Sequence, residues 1–276
     1  MATIETRADE LIAASALSDT SKLSSLLAQA TYQEAACSLR NVPFFLTYLD
    51  VPIANLMLRT SLDPPNPSAA NLICDFAREN SIPADSVVTQ WEVLPAIKSA
   101  AGVELLDAFY CVEKDVANTD CDYMWNPLSY ASYHGKSDVV KWLLEHGADP
   151  NKWCAHHEAH GHYLCAAAQY GHVETIRTLL EHGALVNGSG ALHMAAEKNN
   201  TQCLQLMVEK GGDMNDRFGN SVSFYDENGV SEDERMRRAN QTPLDVATGE
   251  AAEWLSARGA RKSVEDGGEA LSLTTR

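Results

Sequence analysis

The densest set of chemically capable side chains in this 276-residue chain lies in Lys152–Tyr163, KWCAHHEAHGHY. His156, His157, His160 and His162 stand with Cys154 and Glu158 within a short span, and these are donor types that zinc and copper take. The spacing is not that of a metalloprotease helix, because His157-Glu158 is followed by a histidine at 160 rather than at 161. The segment also lacks paired CxxC spacing. Three readings stay open. The segment is a polar exposed hairpin, or a finger made rigid by a metal on His156, His157 and His160. Alternatively, a histidine acts as a general base oriented by Glu158 or Asp226, since imidazole titrates near neutral pH.

A second irregular stretch is Asp216–Gln241, DRFGNSVSFYDENGVSEDERMRRANQ. It carries the aromatic pair Phe224-Tyr225, acidic Asp226-Glu227 and Glu232-Asp233-Glu234, then basic Arg235, Arg237 and Arg238. A short helical turn is expected near Glu232–Arg238. A loop this long inside a compact array points to a contact role or to disorder. Gly188-Ser189-Gly190 resembles a phosphate cradle only superficially. No lysine follows it and no strand precedes it, so the glycines are expected to serve a tight turn. No nucleotide-binding loop, triad order or nucleophile elbow appears. No catalytic residue, resident metal or cofactor is therefore assigned.

The elements that position these segments are short helices. In Asn126–Asn151, NPLSYASYHGKSDVVKWLLEHGADPN, Pro127 suits a helix start and the spacing predicts a helix over Leu128–His134. Gly135 breaks it, and a second helix is expected over Ser137–His146, ended by Gly147 in a left-handed conformation. Val139, Val140, Leu143 and Leu144 share one face, which two such short helices cannot bury alone. Copies follow. Tyr163–Ala168, Gly171-His172 and Thr178–Ala184 form one, and Ala191–Ala196 with Leu204–Asn215 another. Thr242–Ala247 with Trp254-Leu255 and Gly259-Ala260 form a last, partial one. The chain resembles the ankyrin-repeat family, whose unit of about 33 residues opens with a TPLHxA-type motif. The resemblance spans roughly residues 86–261. It implies an all-α solenoid of stacked helix-turn-helix units with hairpin-like fingers. It also implies protein–protein interaction without naming a partner.

Spacing marks where the units depart from the family pattern. Gly171 follows Gly135 by 36 residues, Asn199 follows Gly171 by 28, and Leu244 follows Leu192 by 52. This pattern predicts an enlarged finger at 152–163, a missing finger, and a long insertion at 216–241. The gap between the two raised walls is the expected place for a small-molecule or metal ligand, or for catalysis. For a protein partner, Tyr123, Trp125, Trp153, His156, His157, Glu158 and His160 are expected to make contact from the fingers. Tyr133, Gln169 and Glu197 are expected on the concave inner-helix face, and Phe224 and Tyr225 in the insertion. His162 falls where the family usually carries threonine. His146, His172, His182 and His193 fall where it often carries histidine, and His134 precedes a helix-breaking glycine.

The first 85 residues read as an irregular helical region, either divergent repeats or a cap of different topology. Asp9–Ala30 is expected to form two helices, carrying Leu11, Ile12 and Ala14, then Leu23, Leu26 and Leu27, with Asp19-Thr20 as a capping break. Further apolar pieces fall at Ala35–Leu39, Pro43–Tyr48 and Ile53–Leu58, then a stiff Asp63–Pro67 loop and a helix over Ala69–Glu79. Gly102, 33 residues before Gly135, suggests one more degenerate repeat ending near Val116–Asn118.

With 38 acidic and 21 basic residues the net charge is −17, which disfavours nucleic acid and anionic membranes as partners. No apolar run approaches a membrane span of about 18–20 residues, and MATIETRADE does not read as a signal peptide. Seven scattered cysteines suit a reducing compartment, cytoplasmic or nuclear. Residues 262–276 are expected to form a disordered tail.

Overall fold

A computed structural model describes residues 4–17, 20–29, 53–119, 121, 126–152, 163–217 and 240–263. Among the described residues the secondary structure is helical, with no strand. The chain divides into two compact units between Asp122 and Tyr123.

The first unit contains α1 (Ile4–Ser15), α2 (Ser21–Leu27), α3 (Ile53–Thr60), α4 (Pro67–Glu79), α5 (Gln90–Lys98) and α6 (Gly102–Tyr110), with 3-10 turns at Ala84–Ser86 and Val116–Asn118. Helix α1 packs on α3, α2 on α4, and α4 on α6. Leu11, Leu23, Met57, Leu58, Ile73, Ile97, Leu105, Leu106 and Phe109 fill the core. Three local expectations are corrected. Thr20 precedes α2 but its side chain makes no capping bond. The proline-rich loop ends one residue earlier than expected: Asn66 caps α4 by accepting from the Ala69 N–H, so Pro67 is the first helical residue. Gly102 opens α6 and is not among the positive-φ residues, so its 33-residue spacing from Gly135 does not reflect a shared turn.

One buried carboxylate joins α3 to α5. Glu92 is fully buried. Its Oε2 accepts from the Thr89 N–H at 2.7 Å and the Thr89 hydroxyl at 2.6 Å, completing a capping box at the start of α5. Its Oε1 accepts from Arg59 Nε at 2.6 Å. Helix capping and tertiary pairing thus rest on the same side chain.

Among the described residues the second unit has four helix pairs. These are α7 (Pro127–Tyr133) with α8 (Ser137–Glu145), α9 (Tyr163–Tyr170) with α10 (Val173–Glu181), α11 (Ala191–Glu197) with α12 (Thr201–Glu209), and α13 (Pro243–Val246) with α14 (Gly249–Ala257). The first helices of the pairs stack as an inner row and the second helices as an outer row. Apolar spacing explains both rows. Val139, Val140 and Leu143, then Ile176 and Leu179, then Leu204 and Met207, are buried along the outer row. Ala131, Ala167, Ala168, Ala195 and Ala196 are buried along the inner row, where small side chains let helices approach closely. Gly147 takes φ +96° after α8, as its position predicts. Helices α7 and α8 each end one residue short of the expected limit, because His134 and His146 are C-caps.

Replacing Glu92 with leucine should destabilise the first unit by about 2–4 kcal/mol, since a buried charge partner and a cap are lost together. Glu92→Gln should lose less. Urea unfolding of the intact chain, followed by the transition of the first unit, measures both.

Candidate functional site

The inner row presents a strip at the C-terminal ends of its helices. Tyr133 and Gln169 are half-buried and Glu197 is exposed, so all three expected inner-row positions reach the surface. The structure pairs Tyr133 with Tyr170, which is not among the expected contact residues. The Tyr170 hydroxyl donates to the Tyr133 hydroxyl at 3.2 Å, and their rings meet edge-on with centroids 4.6 Å apart. Tyr170 remains 46% exposed. His134 continues the cluster, 5.0 Å from the Tyr133 ring and 4.4 Å from that of Tyr130. A signal was available: Tyr133-His134 precedes Gly135 as Gln169-Tyr170 precedes Gly171, so the two positions before each glycine share one surface.

The turns hold this strip in register. The His172 Nε2–H donates to the Tyr133 carbonyl at 3.0 Å. Its ring covers Gly135, where φ is +65° and an added Cβ would lie 2.5 Å from His172 Nδ1. One step on, Asn200 takes the same place, donating to the carbonyls of Ala168 at 2.7 Å and Gln169 at 3.1 Å. At the third step the Thr248 hydroxyl donates to the Glu197 carbonyl. Asn199 fills the glycine slot with φ +56°, and its side chain accepts from the Ala251 N–H at 2.9 Å. A second ladder runs past the ends of the outer helices. Asn151 accepts from the Leu185 N–H and donates to the Gly183 carbonyl, Asn187 accepts from Asp213, and Asn215 accepts from Arg261.

The finger and insertion residues are seen only at their roots. Tyr123, Trp125, Trp153, His156, His157, Glu158, His160, His162, Phe224 and Tyr225 lie outside the described residues. The anticipated cleft between finger and insertion therefore lies outside them as well. Tyr163, where the expected finger gives way to the next repeat copy, is the buried first residue of α9, and its hydroxyl accepts from Asn126 Nδ2 at 2.8 Å. The shortened connection is a tight turn, with Ser189 buried and its carbonyl accepting from the Cys165 thiol at 2.8 Å. Burial pushes that thiol up to about 12, as expected of a cysteine that serves as a small core residue. Among the described residues no group of three or more histidine, cysteine or acidic side chains is placed to hold a metal.

The long insertion leaves the array through a closed neck. Arg217 Nη1 donates to the Asn240 carbonyl at 3.3 Å, and Asp216 Oδ2 accepts from the Gly188 N–H at 2.7 Å. Burial raises the Asp216 carboxyl above its usual value. His193 is buried beside the neck and donates from Nε2 to the Gln241 carbonyl at 2.9 Å. Burial lowers its pKa from 6.5 to about 4, against the opposing pull of the Gln241 carbonyl, Asp245 and the Asp216 backbone. Burial also pushes the Asp245 carboxyl up, but hydrogen bonds from Thr242 and Ser263 outweigh it and leave the carboxyl below its usual value.

As pH falls, the unfolded chain takes up a proton on residue 193 near pH 6.5, whereas the folded chain resists until about 4. The contribution of neutral His193 is thus complete above pH 6.5 and lost between 6.5 and 4. A His193→Gln variant should lack this component. Its loss of stability from pH 7 to pH 4 in urea titrations should be smaller than that of the natural chain by up to about 3 kcal/mol.

Comparison with known families agrees with this architecture. The ankyrin-repeat model matches residues 123–154, and a model of three ankyrin-repeat copies matches residues 164–266. No curated protein matches the chain. The matched segments coincide with the four stacked helix pairs, and over them the chain belongs to the ankyrin-repeat family.

Proposed function

We propose that the chain is an adaptor or inhibitor that binds another protein through the inner row and the fingers beside it. Ankyrin repeats are in general protein–protein interaction modules. One observation carries the reading for this chain: a tyrosine pair, Tyr133 and Tyr170, is held in fixed geometry on the surface with Tyr170 46% exposed. Rigid aromatic side chains of this kind are typical interface anchors, because they bury much area at little entropic cost. Gln169 and Glu197 extend the contact along the row. Trp125, Trp153, His156, His157, Glu158 and His160 are the finger positions proposed to complete it, with Tyr123, Phe224 and Tyr225 at its margins. The free, buried cysteines Cys74, Cys165 and Cys203 support a reducing cytoplasmic or nuclear setting.

Affinity capture from native cell extract tests this reading, comparing the intact chain with Tyr170→Ala and with Tyr133→Ala/Tyr170→Ala. A specific partner should be retained by the intact chain and bound about 30-fold more weakly by Tyr170→Ala, the effect of losing a 2 kcal/mol anchor. Both variants should keep the melting temperature of the intact chain within a few degrees, since Tyr170 lies at the surface. Equal retention of the partner by all three chains would overturn the assignment of this surface.

A further inference from the structure

Resting on the reading above, we propose that the partner offers an arginine side chain to the Tyr133–Tyr170 pair. Three independent features favour a planar cation at this position. The first is the rings themselves. Tyrosine faces are electron-rich, and a guanidinium stacks on them because it is flat and more weakly hydrated than an ammonium group.

The second is the place of the rings in the fold. Tyr133 is the last residue of α7 and Tyr170 the last of α9. Helix C-termini carry partial negative charge, which a basic side chain in the last turn commonly offsets. Neither helix has one. The Tyr133, Ala168 and Gln169 carbonyls accept from an imidazole, His172, and an amide, Asn200, rather than from lysine or arginine. Further along the row, Lys198 follows α11 but is bound to Glu197 at 3.0 Å, so its charge is compensated locally. The tyrosine pair is therefore the part of the strip that combines electron-rich faces with no basic residue in the last turn of its own helices.

The third is long-range. A net charge of −17 draws basic segments toward the chain and repels acidic ones. An apolar occupant fits less well, because the strip offers tyrosine hydroxyl, amide and imidazole groups alongside its rings.

A displayed random-peptide library panned on the full-length chain tests the proposal. Selection in 0.5 M salt, where screening acts beyond about 4 Å, removes retention by net charge alone. Tyr170→Ala and Tyr170→Phe are panned in parallel, each first shown by thermal melting to be folded. The natural chain and Tyr170→Phe should enrich peptides with arginine at one recurring position, and Tyr170→Ala should not. Changing that arginine to citrulline, a neutral isostere, should weaken binding of the synthetic peptide about tenfold. Tyr170-dependent peptides without arginine, or unchanged binding by citrulline, would overturn the arginine assignment and leave the binding surface standing. Enrichment that does not depend on Tyr170, or no enrichment, would overturn both.

Discussion

The inner row depends on how the backbone carbonyls at the end of each first helix are satisfied. A helix C-terminus leaves carbonyls without intrahelical partners, and a tight turn into the next helix gives water little access to them. In the second unit the following pair supplies the missing donor each time: His172 to Tyr133, Asn200 to Ala168 and Gln169, Thr248 to Glu197. Imidazole, amide and hydroxyl do the same work because each presents an N–H or O–H at the same step of the turn. Close approach at Gly135 is part of this arrangement, since His172 lies against the space that a Cβ would fill. Successive helices are thereby held in fixed register, and that register brings Tyr170 onto Tyr133. The surface proposed for binding is a consequence of the ladder beneath it.

The same organisation accounts for the tolerance of uneven unit length. The asparagine bridges at 151, 187 and 215 secure each pair to the next just beyond the outer helices. The helices on either side of 153–162 and of 218–239 stay stacked in the same two rows. At the longer insertion the Arg217 side chain reaches the Asn240 carbonyl, and the Asp216 carboxylate ties the outgoing side to Gly188. His193 is tied to Gln241 on the returning side, so a repeat-stabilising contact survives across the whole excursion.

The first unit is held differently. Its helices also pack in neighbouring pairs, but a buried carboxylate, Glu92, takes the place of the ladder by binding Thr89 and Arg59 together. Asn55 adds a side-chain bond to the Val87 carbonyl at 2.7 Å. These are single, irregular solutions, which is why repeat spacing has little to say about residues before 123. Gly102 illustrates the point: it stands at the repeat interval from Gly135 yet serves as the first residue of a helix.

The repeated helix pairs, their breaks and the places where the spacing departs from the common unit are all legible in the amino-acid order. Those properties are local: Pro127 opens a helix, Gly147 ends one, and Val139, Val140 and Leu143 must share a buried face. The expectation of Tyr133, Gln169 and Glu197 on the inner helices follows from the repeat register; the first two are half-buried and Glu197 is exposed. Stacking of the helices, by contrast, sets that Tyr170 joins Tyr133, that the Tyr163 hydroxyl meets Asn126, and that the Arg217 side chain reaches the Asn240 carbonyl. Each of these depends on the distance between residues 23 or more apart in the chain, which stacking sets and periodicity within one helix does not contain. Glu92 follows the same division: its capping box with Thr89 is written in neighbouring residues, but its pairing with Arg59 exists only once α3 and α5 have come together.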